Sequence, residues 1–223
     1  MCDRAVPQQN LCAELAGLLG ALPSSLDDKN GGEFEAVTSW LAAFWEILAR
    51  EWTAIDVLRL EKFLLLVRRV LGASLEWAAP TSTATHRTKA KKGGNGRQEA
   101  LLAVLRDWPL DPTGDLSKMP VGLRLHVLDI WVDEVEKAGF LPSPAADDEE
   151  AADDNDNADD DDKAFLTRLR ALVETQLRSP SKPVRARARE SLADDRLPWN
   201  RGRAGDEGEG EEEEDDGWAG FRD

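Results

Sequence analysis

The chain has 223 residues, enough for one sizeable domain with tails, and a formal net charge of −16. Its two cysteines are too few for a disulfide framework, and no apolar run reaches the roughly 18 residues needed to cross a bilayer. No secretory signal pattern opens the sequence, so a reducing compartment, cytosol or nucleus, is expected, with no membrane role. The charge is unevenly placed: residues 147–162 hold eleven acids and residues 206–216 nine, while residues 163–203 are basic, with eleven Lys and Arg against four acids. A near-neutral domain is thus followed by acidic, basic and acidic segments, a layout suited to charged partners.

In chain order, Leu11, Leu15, Leu18, Leu19 and Leu22 recur at helical spacing up to Pro23. After a polar DDKNGGE loop, the set Phe34, Val37, Trp40, Leu41, Phe44, Trp45, Leu48 and Trp52 predicts a second helix, with Glu46 and Arg50 as an i,i+4 pair. The stretch from Arg50 to Leu71 reads as one long helix capped near Thr53, apolar around most of its circumference and so expected in the middle of a bundle. Asp56 and Arg59 project within its apolar arc. Unpaired charges there cost several kcal/mol, so a structural ion network is expected, with Arg124, which falls in the apolar arc of a later helix, as the partner of Asp56.

Residues 79–96 read as a basic polar linker, followed by a short helix with Leu101, Leu102, Val104, Leu105 and Trp108. After a turn-rich connection, Pro120 opens a helix to about Ala138 with Leu123, Val127, Leu128, Ile130, Trp131 and Val135 on its apolar arc. Residues 142–162 read as an acidic disordered linker and residues 163–178 as a separate amphipathic helix that must dock back on the domain or bind another protein. Residues 179–223 read as a disordered tail, basic and then acidic. No segment alternates with period two, so the expected fold is all-α: a repeat-like helical bundle or solenoid of about five helices over residues 1–141, followed by a charged tail.

Three blocks carry a resemblance: DRAVPQQNLCAELAGLL at Asp3 to Leu19, FWEILAREWTAIDVLRLEKFLLLVRRVL at Phe44 to Leu71, and PVGLRLHVLDIWVDEVEK at Pro120 to Lys137. In these the chain resembles the nucleolar ribosomal RNA-processing protein 1 family, assembly factors of the large ribosomal subunit precursor. The middle block is the most specific, combining the Phe-Trp pair, Arg-Glu-Trp, Ile-Asp, Arg-Leu-Glu-Lys-Phe and Arg-Arg-Val-Leu. The resemblance covers roughly residues 1 to 140 and implies an all-helical domain, a nucleolar address, and a non-enzymatic scaffold role in rRNA processing with pre-ribosomal RNA and other assembly proteins as partners. Family members normally carry further aromatic-rich helices before the position of Met1, so part of the first helix pair's apolar face is expected to lack its cover. The linker at 79–96 also departs from the family in being longer and more basic.

No phosphate-binding loop, Ser/His/Asp grouping or paired catalytic carboxylates can be found, so no catalytic residue, cofactor, metal or small-molecule substrate is assigned. His126, Asp129 and Asp133 share a helix face at metal-compatible spacing, yet without a second histidine or a cysteine a solvated face is the better reading. The cluster Arg87, Lys89, Lys91, Lys92 and Arg97 suits RNA phosphates or a nuclear localisation signal, and Arg185, Arg187 and Arg189 are further phosphate-binding candidates. Ser179 and Ser181 lie beside prolines as candidate phosphorylation positions. Most tryptophans are expected in the core, Trp108 and Trp131 last. The rival to a ribosome assembly factor is an acidic chaperone of basic proteins, histones or ribosomal proteins, acting through the runs 147–162 and 206–216.

Overall fold

The computed structural model describes residues 5–22, 34–79, 93–141 and 156–201. Among them there is no strand, and seven α-helices follow one another: α1 (Ala5–Ala21), α2 (Glu35–Glu51), α3 (Val57–Ala78), α4 (Gly93–Asp107), α5 (Val121–Lys137), α6 (Asp156–Thr175) and α7 (Lys182–Leu192). The all-α expectation holds, with one more helix, α7, than the sequence period suggests. Helix α3 is the hub: α1, α4 and α5 all lie against it, α6 packs on α4, and α7 packs on α5 and α6.

On α2 the buried positions Val37, Leu41, Trp45 and Leu48 follow the 3.6-residue period. Helix α1 differs from its leucine pattern. It buries Cys12, Ala16 and Leu19 while Leu11 and Leu18 face outward, because the small residues at 12 and 16 let its backbone approach α3 closely.

The single helix expected from Arg50 to Leu71 is two. Trp52–Ala54 tighten into a 3-10 turn, Ile55 is extended, and Asp56 begins a new helix by accepting a hydrogen bond from the Leu58 N–H at 2.8 Å. An aspartate in the β region that bonds the second N–H of the next turn is a strong N-cap, and it displaces Thr53 from that role. Arg50 therefore belongs to α2, where it pairs with the adjacent Glu51 at 2.8 Å and not with Glu46. The interior placement expected of this region applies to the second half of α3, with Val67, Val70, Leu71, Leu75 and Ala78 buried. Its first turn is on the surface, Val57 being 77% and Leu58 84% exposed.

The division expected beyond residue 141 changes most. Helix α6 starts seven residues before Lys163, inside the acidic run, where aspartates suit the positive end of a helix. Gln98 on α4 donates to Asp162 at 3.0 Å, and Phe165 stacks on Phe140 with ring centroids 4.5 Å apart. Helix α7 occupies part of the expected tail. Its Val184 and Ala188 and the following Leu197 are fully buried, and this i,i+4 stripe was hidden by the alternating arginines of VRARARE. The amphipathic helix thus docks back on the domain, and the described fold extends to residue 201. Helix α4 likewise begins at Gly93, within the expected linker. Trp131, expected last in the core, is 2% exposed, and Trp108 is half-buried.

Candidate interaction surfaces and the polar framework behind them

Among the described residues no ion pair joins Asp56, Arg59 and Arg124. Asp56 and Arg59 are exposed at the first turn of α3, so neither charge needs a buried partner. Arg124 is the buried one, with no exposed surface. Its Nη1 donates to the Asp111 carbonyl at 2.9 Å and to Gln176 Oε1 at 2.6 Å, and its Nη2 to the Asp115 carbonyl at 3.4 Å. Gln176 in turn donates to the Leu110 carbonyl at 2.9 Å. Burial pulls the Arg124 guanidinium below the ordinary arginine range, while Asp111 and Asp115 draw it back up. One arginine thus ties the 108–120 connection and the end of α6 to α5, through acceptors that are mostly backbone carbonyls. Gly114 (φ +68) completes the seam, since a Cβ there would lie 2.7 Å from Pro180 Cδ.

The network the chain does build lies between α3, α5 and the segment after α7. Arg68 donates to Glu134 at 2.6 Å and to Asp133 at 2.7 Å; Lys137 reaches Glu134 at 2.8 Å. Arg196 joins Asp133 at 3.0 Å, Glu136 at 2.7 Å and Asp194 at 2.7 Å. Burial pushes the Asp133 carboxyl up, but hydrogen bonds from Arg196 and Arg68 outweigh it and hold the group below its usual value. Glu134 is the buried member, and Gly72 makes its seat: a Cβ there would stand 2.6 Å from Glu134 Oε2. The signal for this network, Asp133-Glu134-x-Glu136-Lys137 opposite Arg68, was present in the sequence. It read as an ordinary solvated face because nothing local showed that α7 would cover it.

His126 belongs to the same interface. Its Nε2 donates to the Leu64 carbonyl at 2.9 Å, and burial lowers its pKa, with the Leu64 hydrogen bond and the Asp129 charge acting in the opposite sense. This is a neutral histidine joining α5 to α3. It lines neither the cleft between α1, α3 and α5 nor the groove between α2 and α3, and among the described residues no group of His, Cys, Asp and Glu has the arrangement of a metal site. Asp129 pairs with Arg187 at 2.9 Å.

The basic candidates divide. Arg87, Lys89, Lys91 and Lys92 lie outside the described residues. Arg97 is on α4, half-buried, its guanidinium 5.7 Å from the Trp77 ring centroid and 3.4 Å from the Trp77 carbonyl, so it fastens α4 to α3. Arg185 donates to the Ser179 carbonyl at 2.7 Å and the Pro180 carbonyl at 3.0 Å, and Arg187 is held by Asp129. Arg187 is exposed despite that pairing, and Arg189, exposed beside Trp199 and Asn200, is the member of the trio with no ion pair among the described residues. Ser179 is buried, leaving Ser181, the N-cap residue of α7, as the accessible hydroxyl of the two.

Two surfaces therefore stand out. One is the arginine-bearing outer face of α7. The other is an apolar groove of about 440 Å³ between α2 and α3, lined by Trp40, Ala43, Phe44, Ile47, Ile55, Phe63 and Leu66 together with the buried Leu48 and with Glu51.

Comparison with known proteins places this framework. A family model described as "Nucleolar protein, Nop52" matches residues 1–219. Over 139 residues, 62% of this chain and 24% of the relative, the chain is 33% identical to "Ribosomal RNA processing protein 1 homolog A" of Mus musculus. With the protein of the same name from Homo sapiens the identity is 33% over 140 residues, 62% of this chain and 25% of the relative. The "Ribosomal RNA processing protein 1 homolog" of Drosophila melanogaster is 25% identical over 138 residues, 62% of this chain and 17% of the relative. The chain aligns with about a quarter or less of the length of these curated relatives. With a match that runs through the α1–α5 domain, the docked α6 and α7 and on to residue 219, the chain belongs to the Nop52 family of nucleolar proteins.

Proposed function

We propose that this chain is a non-enzymatic ribosome biogenesis factor that acts in the nucleolus in rRNA processing, as a rigid helical platform on which pre-ribosomal RNA and other assembly proteins are held. The observation that carries the reading is the family match over residues 1–219 together with relatives named for ribosomal RNA processing. The fold supports it: Arg124, the Arg68–Glu134 pair and the Arg196 cluster lock α3, α5, α6 and α7 into one body, which suits presenting surfaces more than opening a catalytic cleft. RNA contact is assigned to the basic segment Arg87, Lys89, Lys91 and Lys92, with the exposed Arg189 on α7 as a second point. The same 87–92 segment serves equally as a nuclear localisation signal.

Depletion of the protein from its own cells tests this. Precursors of the large-subunit rRNA should accumulate and be cleared again by the re-expressed chain. An unchanged precursor pattern would overturn the reading. The acidic-chaperone alternative draws on the runs 147–162 and 206–216. The first of these is partly committed to the fold, since Asp156 to Asp162 lie in α6 and Asp162 accepts from Gln98.

A further inference from the structure

The α2–α3 groove presents apolar side chains of a size that surface positions seldom carry. Trp40, Phe44 and Ile47 are spaced i, i+4 and i+7 along α2, and Phe63 and Leu66 oppose them from α3. Ile47 is 53% exposed, and Val57 and Leu58, two and three residues beyond the groove-lining Ile55, are exposed as well. A helix or short peptide with two bulky anchors is the natural occupant of such a face.

The chain itself contains one segment of that kind. Outside the described residues, the stretches 1–4, 23–33, 80–92 and 142–155 carry no aromatic side chain; residues 202–223 carry Trp218 and Phe221. These stand three apart in GWAGF, directly after EEEEDD, a run otherwise free of large apolar side chains. Only three residues apart, the two rings can enter one groove together. Charge agrees with this pairing. Arg59 lies one turn before Phe63 on the stripe that continues to Leu66, is exposed, and has no ion pair among the described residues, whereas the groove's own acid, Glu51, is already held by Arg50 at 2.8 Å. Reach is sufficient: the residues between Arg201 and Trp218 extend to about 50 Å, beyond the roughly 30–40 Å expected across a compact domain of this size.

We propose that the C-terminal segment around Trp218 and Phe221 docks in the α2–α3 groove of its own chain, the two aromatic rings seated between Trp40, Phe44, Ile47 and Phe63 and the preceding acidic run lying toward Arg59. A tether of this length supplies an effective concentration on the order of 1 mM, so even a weak site with a Kd of about 0.1 mM would be mostly filled from within the chain.

Titration of a fluorescein-labelled synthetic peptide of residues 211–223 into full-length protein tests this by anisotropy. The W218A/F221A chain, whose groove is vacated, should bind the peptide about tenfold more tightly than the wild-type chain, whose own tail competes. In that background Ile47→Glu, a change at an exposed position that spares the core, should abolish binding, and Arg59→Glu should weaken it and reduce its salt dependence. Equal affinity for the wild-type and W218A/F221A chains, or binding insensitive to Ile47→Glu, overturns the proposal. So does a wild-type chain that sediments as a dimer and becomes monomeric with Ile47→Glu, since the occupant would then be a second copy.

Discussion

Asp56 and Arg124 show how far a helical wheel carries at the level of single residues. Both fall in apolar arcs, but Asp56 caps an exposed turn while Arg124 is sealed among carbonyls. Replacing Arg124 by Ala leaves the Asp111 carbonyl and Gln176 Oε1 buried without their donor, which should cost about 3 kcal/mol, or roughly 10 °C in Tm for a domain of this size. Asp56→Ala removes one N-cap and should cost about 3 °C. Parallel thermal melts check the order; equal shifts would contradict the geometry. His126 gives a pH signature. Its folded pKa lies below the ordinary 6.5, so the unfolded chain takes up a proton first as pH falls. The stability it contributes is complete above about pH 6.5 and is lost as pH falls from there toward the folded value, by less than about 1.4 kcal/mol per pH unit. Urea midpoints should therefore drop between about pH 7.5 and 5.5 in the wild type and drop less in His126→Gln; Asp133 and Asp194, held below the usual carboxylate range, do not titrate in that window.

Among elements, what could be read from the sequence depended on whether burial showed as a period. Helices α2 and α5 and the second half of α3 were legible because long apolar side chains repeat at 3.6 residues. The break at 52–56 was not, since Trp52 and Ile55 are apolar and continue the pattern through a 3-10 turn. Helix α7 was obscured because its buried stripe is only Val184 and Ala188 among arginines, and the first two turns of α6, before the expected start at Lys163, because aspartates that open a helix look the same as aspartates in a disordered run. The docking of α6 on the domain has a direct check. Phe165→Ala removes a fully buried ring stacked on Phe140 and should lower the single cooperative melt by about 3–5 kcal/mol equivalents. An independent α6 would leave the main transition unmoved.

At the scale of the whole molecule, the framework was visible in outline and its surfaces were not. Family membership could be approached from three sequence blocks, whereas the basic candidates sorted themselves only in three dimensions, with Arg97, Arg185 and Arg187 spent on internal contacts. RNA binding is accordingly expected to rest on few cations. With Arg87, Lys89, Lys91 and Lys92 engaged, the plot of log K against log salt for single-stranded RNA should slope at about −3, and alanine at all four should flatten it toward zero. A filter-binding series over salt concentration measures both. The central claim is that the folded helical surfaces, and not the acidic runs, bring this chain to pre-ribosomes. Its most direct test is sucrose-gradient sedimentation of the tagged full chain with the acids of 147–154 and 206–216 replaced by Ser and Asn, a change that leaves the aspartates of α6 in place. The expected result is continued co-migration with large-subunit precursors; a shift of the variant to the top of the gradient, with the wild type remaining in the particle fractions, would contradict the account.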